Sequence, residues 1–231
     1  MNKIIIDKES NIEIKDNIAE ILIAVPKLTI EIIGRVLINE ITELTTENIE
    51  LTLNIHEKSS LIYNRFIKHN NMNNHIIINQ NNDSKAIINY SFIALDKCEL
   101  TIDSIITGDN NETEINVRSV TEQKGQVKIT STADVKKLVK NNNLLENIKV
   151  LLLTNEESII IPNLLVSSNE VAVNHAATLS NIDKNYLFYL NSKGIDNEGA
   201  IRLIKNGYLL NNLDIKNEQI EKIKNIINGG E

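Results

Sequence analysis

Aromatic residues are scarce in this sequence. Trp is absent, and Phe, Trp and Tyr together make up 3% of the residues. The core must therefore be built from aliphatic side chains, among which Ile is prominent. Ile and Val are restricted at χ1 and fit pleated strands better than helices. The composition therefore favours a mainly β protein.

Cysteine is almost absent, since Cys98 is the only one. A single thiol cannot form an internal disulfide, which fits a reducing compartment. Long apolar runs are also lacking. The N-terminal run, Ile4-Ile5-Ile6, is far shorter than the roughly 7–15 apolar residues of a signal-peptide core. No stretch approaches the roughly 18 apolar residues that span a bilayer. We expect a cytoplasmic protein without a membrane segment.

Basic residues are the minority among the charged ones. The chain has 24 Lys and Arg against 31 Asp and Glu, a formal net charge of −7. No basic stripe is visible, whereas proteins that bind nucleic acid usually carry one. The sequence therefore argues against a nucleic-acid partner.

The motifs of common enzyme classes are missing. Neither Gly-x-Ser-x-Gly nor His-Glu-x-x-His occurs. Gly194 and Gly199 have the spacing of a phosphate-binding loop, but Ala200 stands where Lys must neutralise phosphate. The carboxylates are scattered, and none forms a pair that the sequence can place. We expect no catalytic activity in this chain.

Short apolar runs recur from Ile4 to about Val173, at roughly ten-residue spacing. Several alternate strictly, as in the run from Ile49 to Ile55, which predicts strands with one buried face. Asn, Asp, Ser and Gly separate the runs and are typical of turns. This rhythm fits a sandwich, a barrel or a β-solenoid and does not choose among them.

The pattern changes after about Ser180, where helices are predicted. Asp183 can cap a first helix that Gly194 ends, and Asp196 can cap a second. A third helix is predicted to end at Gly229-Gly230. These short helices bury little core alone, so they must pack on the end of the β part or on a partner. We therefore expect a β core over 1–180 and a helical region over 181–231.

One segment resembles a known family. It runs Val173-Asn174-His175-Ala176-Ala177-Thr178, then Ile182-Asp183, then from Leu187-Phe188-Tyr189-Leu190 through Ser192-Lys193-Gly194-Ile195 to Gly207-Tyr208. In order and spacing, these elements resemble the C-terminal signature of the SufB/SufD family of iron–sulfur cluster assembly scaffolds. Ala176 stands where SufB usually has Glu, and no Cys follows Cys98, so the chain is more similar to a short SufD-like member.

The resemblance implies a right-handed parallel β-helix with C-terminal helices that bind a SufC-like ABC ATPase. It also implies that a transient iron–sulfur cluster is held where two scaffold subunits meet, with no tightly bound cofactor. The second subunit is either a SufB-like protein or another copy of this chain. The residues that would contact the ATPase are Leu187, Phe188, Tyr189, Leu190, Gly194, Ala200, Leu203, Ile204, Gly207 and Tyr208.

His175 is the candidate metal or cluster ligand, because imidazole suits iron. The alternative is a His at a strand end that is merely hydrogen-bonded to a neighbour. Cys98 is a weaker candidate, since a lone Cys among Ile and Leu is usually a small core residue. Two other functions stay open: a β-solenoid binding module without a cluster, and a β-helix enzyme that acts on polysaccharide.

Overall fold

The computed structural model describes residues 3–43 and 48–229, and 59% of these residues are in strands. The strands are β1 Lys3–Ile6, β2 Ser10–Lys15, β3 Ile18–Ile23, β4 Lys27–Ile33, β5 Arg35–Glu43, β6 Asn48–Ile55, β7 Ser60–His69, β8 Met72–Gln80, β9 Lys85–Ala94, β10 Lys97–Ile106, β11 Glu112–Thr121, β12 Gln126–Val135, β13 Lys140–Leu152, β14 Ile159–Val166 and β15 Glu170–Asn181. The helices are α1 Lys184–Ser192, α2 Asn197–Leu210 and α3 Asn217–Asn228.

The chain alternates between two parallel sheets. The odd-numbered strands form an eight-stranded sheet in the order β1-β3-β5-β7-β9-β11-β13-β15. The even-numbered strands form a seven-stranded sheet that runs from β14 to β2. Each turn of the chain therefore adds one strand to each sheet, which defines a β-solenoid. The predicted parallel β-helix is confirmed, and the antiparallel sandwich is excluded.

The period-two pattern explains how the lumen between the sheets is filled. In β6, Ile49, Leu51, Leu53 and Ile55 are buried, while the residues between them are half-buried on the outer face. Neighbouring strands keep this register, so that Leu51 stacks on Ile76. Repetition of the pattern builds one continuous aliphatic core along the solenoid. The core is thus mostly Ile, Val and Leu, as the composition predicts, with Tyr63, Tyr90 and Phe92 among its largest side chains.

A charged pair interrupts this apolar lumen near its middle. Arg65 Nε lies 2.8 Å from Glu40 Oε2, and both side chains are fully buried. Tyr63 donates its hydroxyl to the same carboxylate, and the Arg65 guanidinium lies over the Tyr90 ring, 5.1 Å from its centroid. Mutual attraction and the ring contact offset the cost of removing both charges from water.

An asparagine column runs across the outer face of the eight-stranded sheet. Asn39, Asn64, Asn89 and Asn116 occupy equivalent positions in successive strands. Each side-chain amide donates to the carbonyl oxygen of the previous Asn at 2.9–3.1 Å. Asn fits such a column because its amide both donates and accepts in one plane. The column therefore links the outer surfaces of four turns.

The segment between α2 and α3 is fastened to this column. Asn64 donates to the Asp214 carbonyl at 2.8 Å, and the Asp214 amide donates back to Asn64 Oδ1 at 2.9 Å. Asn212 is buried and donates to the backbone carbonyls of Tyr90 and Asn116. These contacts join residues more than 90 positions apart, so they fix where the last two helices lie on the sheet.

Helices α2 and α3 cover the outer face of the eight-stranded sheet rather than the end of the solenoid. Leu209, Ile223 and Ile227 pack on outward-facing apolar residues of five strands. Those sheet residues are Ile41, Phe66, Ile93, Val120 and Leu151. The expectation that the helices pack on the end of the β part is therefore wrong. The helices bury an apolar stripe on the outer face of the sheet that would otherwise be exposed to water.

The predicted helix ends are mostly confirmed. Asp183 and Asp196 are N-caps, whose carboxylates accept from Asn185 N and Gly199 N at 2.8 Å each. Gly229 ends α3 with a φ of 85°, the left-handed conformation that glycine adopts without strain. Gly230 lies outside the described residues.

We predict that Ile223→Ala lowers the free energy of unfolding by about 2–5 kcal/mol, because it leaves a cavity between α3 and the sheet. Chemical denaturation followed by circular dichroism measures this. The control is Leu138→Ala, since Leu138 is 90% exposed and its loss should change stability little. Equal stability of the two variants would show that α3 is not docked in solution.

Candidate functional site

His175 lies on β15, which is the last strand of its sheet and pairs only with β13 among the described strands. The residues of β15 up to His175 alternate between exposed and half-buried, and His175 falls in the half-buried set. Its side chain is 19% exposed and points into the lumen, where Nδ1 lies 2.8 Å from Glu146 Oε2. The imidazole therefore sits at the open end of the solenoid, on its final turn.

Glu146 is the residue beside His175, and sequence reasoning missed it. The two are register partners on β13 and β15, and the Glu146 side chain is 1% exposed. Burial raises the pKa of this carboxyl, while Ser131 and His175 oppose the rise. A signal was available, because Glu146 takes an inward position between Leu144 and Ile148 in an otherwise apolar pattern.

The edge around this pair is apolar and open. On β14, whose only partner among the described strands is β12, five large aliphatic side chains are 38–56% exposed, and on β15 Leu179 is 43% exposed. The β14 residues are Ile159, Ile161, Leu164, Leu165 and Val166. We call these six residues the open edge. An unpaired strand edge with exposed aliphatic side chains is a surface that pairs with another chain.

The predicted ATPase-contact residues differ in how exposed they are. Phe188, Tyr189 and Leu203 are exposed, and α1 as a whole has no buried residue. Ile204 and Tyr208 instead pack against the cluster between the helices and the sheet, and Ala200 is fully buried. The other predicted positions, Leu187, Leu190, Gly194 and Gly207, are half-buried or exposed. The structure thus does not present Ala200 to a partner.

A surface on α1 and α2 remains available. It consists of Tyr186, Phe188, Tyr189 and Leu203, which are 51–76% exposed, and we call it the aromatic face. Tyr186 is absent from the predicted set. Large aromatic side chains are favoured at the centres of protein interfaces, and exposed apolar patches mark interaction sites.

Cys98 is a core residue, as predicted. It is 1% exposed, and its sulfur faces the His69 and Asn70 carbonyls at 3.9 and 3.8 Å. Burial raises the pKa of the thiol to about 12, with a smaller opposing effect from the Met72 backbone. The thiolate, which is the form that binds iron or attacks sulfur, is therefore scarce at neutral pH.

We predict that Cys98 in the native protein reacts with a thiol-specific reagent at pH 8 far more slowly than it does in denaturant. The raised pKa and the burial both act in this direction. Spectrophotometric thiol titration measures the rate. Leu138→Cys is the positive control because position 138 is exposed, and comparable rates for both thiols would contradict a closed lumen.

Among the described residues, no group of three or more His, Cys, Asp and Glu side chains is placed to hold a metal ion. In the same part of the chain, no helix is both long and apolar enough to cross a membrane. Within the described residues, His175 and Glu146 therefore form at most a partial metal site.

The fold and site define a parallel β-solenoid with a largely buried His–Glu pair at its last turn and a helical tail on its side. A family model described as SUF system FeS cluster assembly, SufBD core domain, matches residues 42–208. Because this match covers more than half of the chain, the protein belongs to the SufBD family, and the predicted resemblance is confirmed. A search of curated proteins gave no match.

Proposed function

We propose that this chain is a non-catalytic, SufD-like scaffold of a SUF iron–sulfur assembly complex and holds a nascent cluster at its last turn. The observation that carries the proposal is the place of His175, on the terminal strand at the open edge and inside the matched region. A ligand on a terminal strand can reach groups from a second subunit, whereas one in the middle of the lumen cannot.

The residues present fit iron. Both oxygens of Glu146 and both ring nitrogens of His175 are buried atoms without a hydrogen-bond partner. Imidazole and carboxylate are ordinary ligands of iron. The cluster is the cargo of this scaffold, so these side chains would hold it during assembly and release it afterwards.

The open edge supports a second subunit over the cluster. Two strand edges with unpaired backbone groups can pair, and the six aliphatic side chains of the open edge would then be buried. That pairing would also shield His175 from water. The partner is a SufB-like subunit or a second copy of this chain, and the proposal holds for either.

The aromatic face supports the ATPase contact. Helix α1 follows the terminal strand after two residues, with β15 ending at Asn181 and α1 beginning at Lys184. It packs on α2 and has no buried residue of its own, so its aromatic side chains are free to contact another protein. We propose that a SufC-like ATPase docks here and supplies the ATP hydrolysis that this chain lacks.

A binding module without a cluster is the second candidate function. The same open edge and aromatic face would serve a solenoid that only joins partner proteins. The unpartnered polar atoms of Glu146 and His175 favour the scaffold, because a pure binding module has no need for them.

We predict that anaerobic reconstitution with Fe²⁺ and sulfide, in the presence of the partner subunits, gives an iron–sulfur chromophore. The His175→Ala complex should give markedly less, since it lacks the proposed ligand. Absorbance and bound iron per complex are the measurements. The matched control is His75→Ala, because His75 also pairs with a carboxylate, Asp103, at 2.7 Å. An unchanged chromophore in the His175 variant would favour the binding module.

We predict that Phe188→Ala together with Leu203→Ala weakens binding of the SufC-like ATPase by at least about tenfold, because truncated interface anchors often cost 2 kcal/mol or more. Surface plasmon resonance measures the affinity. Point variants are needed because deletion of the tail would uncover Phe66 and its neighbours on the sheet. Leu138→Ala is the control on the solenoid body. Unchanged affinity would place the ATPase elsewhere.

A further inference from the structure

Glu146 and His175 form a close, buried pair at the last turn of the solenoid. The nitrogen and oxygen lie 2.8 Å apart, yet neither atom has a partner in hydrogen-bond alignment. The hydroxyl oxygen of Ser131 is also buried without an aligned partner. Buried polar atoms without partners are rare and costly, so this cluster calls for an additional group.

Two other His–carboxylate pairs in the protein behave differently. His56 is hydrogen-bonded to Glu31, and Asn54 donates to the same carboxylate. His75 is hydrogen-bonded to Asp103 at 2.7 Å. Both pairs lie on the outer face and are partly exposed, with His56 at 45% and His75 at 38%. They are hydrogen-bonded pairs at the surface, where their remaining polar atoms can face solvent.

The Glu146–His175 pair has neither water-facing exposure nor aligned hydrogen bonds. Its carboxylate is on β13, which is paired on both sides, by β11 and by β15, and its imidazole is on β15, the terminal strand. Both side chains point into the lumen from register partners on adjacent strands of one sheet, so an imidazole nitrogen and a carboxylate oxygen lie 2.8 Å apart. Such convergence of an imidazole and a carboxylate is how proteins bind divalent transition metals.

We propose that Glu146 is an iron ligand alongside His175, so that the last turn is a two-ligand half-site for Fe²⁺. This inference rests on the proposed scaffold function and adds a ligand to it. Among the described residues no third His, Cys, Asp or Glu completes the set. The remaining coordination positions would be filled by sulfide, by water or by a group from the second subunit.

The ligand set has a chemical consequence for assembly. Nitrogen and oxygen ligands bind Fe²⁺ without sulfide, whereas thiolates also hold finished clusters strongly. The one thiol of this chain is buried in the lumen with a raised pKa. This subunit therefore binds the iron side of the nascent cluster and holds it weakly enough for later transfer.

The test uses the isolated full-length chain and Co²⁺, an air-stable spectroscopic substitute for Fe²⁺. We expect Glu146→Gln and His175→Ala each to weaken Co²⁺ binding by at least about tenfold, since even changes next to metal ligands cost roughly 10–100-fold. His75→Ala is the matched control and should bind as wild type does. Thermal unfolding by circular dichroism establishes that each variant is folded.

A second variant separates a ligand from a positioning residue. Glu146→Cys should give a thiolate-to-cobalt charge-transfer band in the near ultraviolet, which wild type, with only Cys98, should lack. Co²⁺ binding without this band would show that position 146 only orients His175, and would overturn the inference.

The remaining outcomes distinguish the inference from the proposed function. If only His175→Ala loses Co²⁺, Glu146 is not a ligand while the scaffold function stands. If neither variant loses Co²⁺, the inference fails, and reconstitution of the His175→Ala complex then decides the scaffold function separately.

Discussion

The structure depends on in-register parallel stacking of one turn on the next. Each strand receives its backbone hydrogen bonds from the strands of the neighbouring turns, and side chains of like character fall into columns. A strand in the middle is hydrogen-bonded on both sides, but among the described strands β14 and β15 each have a neighbour on one side only. The open edge and the half-buried imidazole of His175 are both consequences of that one-sided stacking.

The same register also explains why helices α2 and α3 pack on the solenoid. Stacking aligns Asn64 with its neighbours and aligns outward apolar residues such as Phe66 beside them. The aligned amides bind the α2–α3 segment, and the aligned apolar side chains bind the helices themselves. Helix α1 lies outside this cover, which is why it keeps exposed aromatic side chains close to the terminal strand.

The lumen holds two polar pairs with different surroundings. Glu40 and Arg65 lie where turns continue on both sides; Glu40 accepts the Tyr63 hydroxyl, and Arg65 packs on the Tyr90 ring. Both pairs keep buried polar atoms without an aligned hydrogen-bond partner. They differ in place, because Glu40 and Arg65 are enclosed by neighbouring turns, whereas His175 lies on a strand that has a neighbour on one side only among the described strands.

The sequence by itself determined the strands, the turns, the capped helices and the family, because these follow from local periodicity, turn residues and an ordered signature. It also identified His175 and the core position of Cys98. Only the tertiary structure decided that the helices lie on the side of the sheet and that Glu146 faces His175. Those features join residues 29 or more positions apart, and their distance in space depends on the length of each turn, which no local pattern encodes.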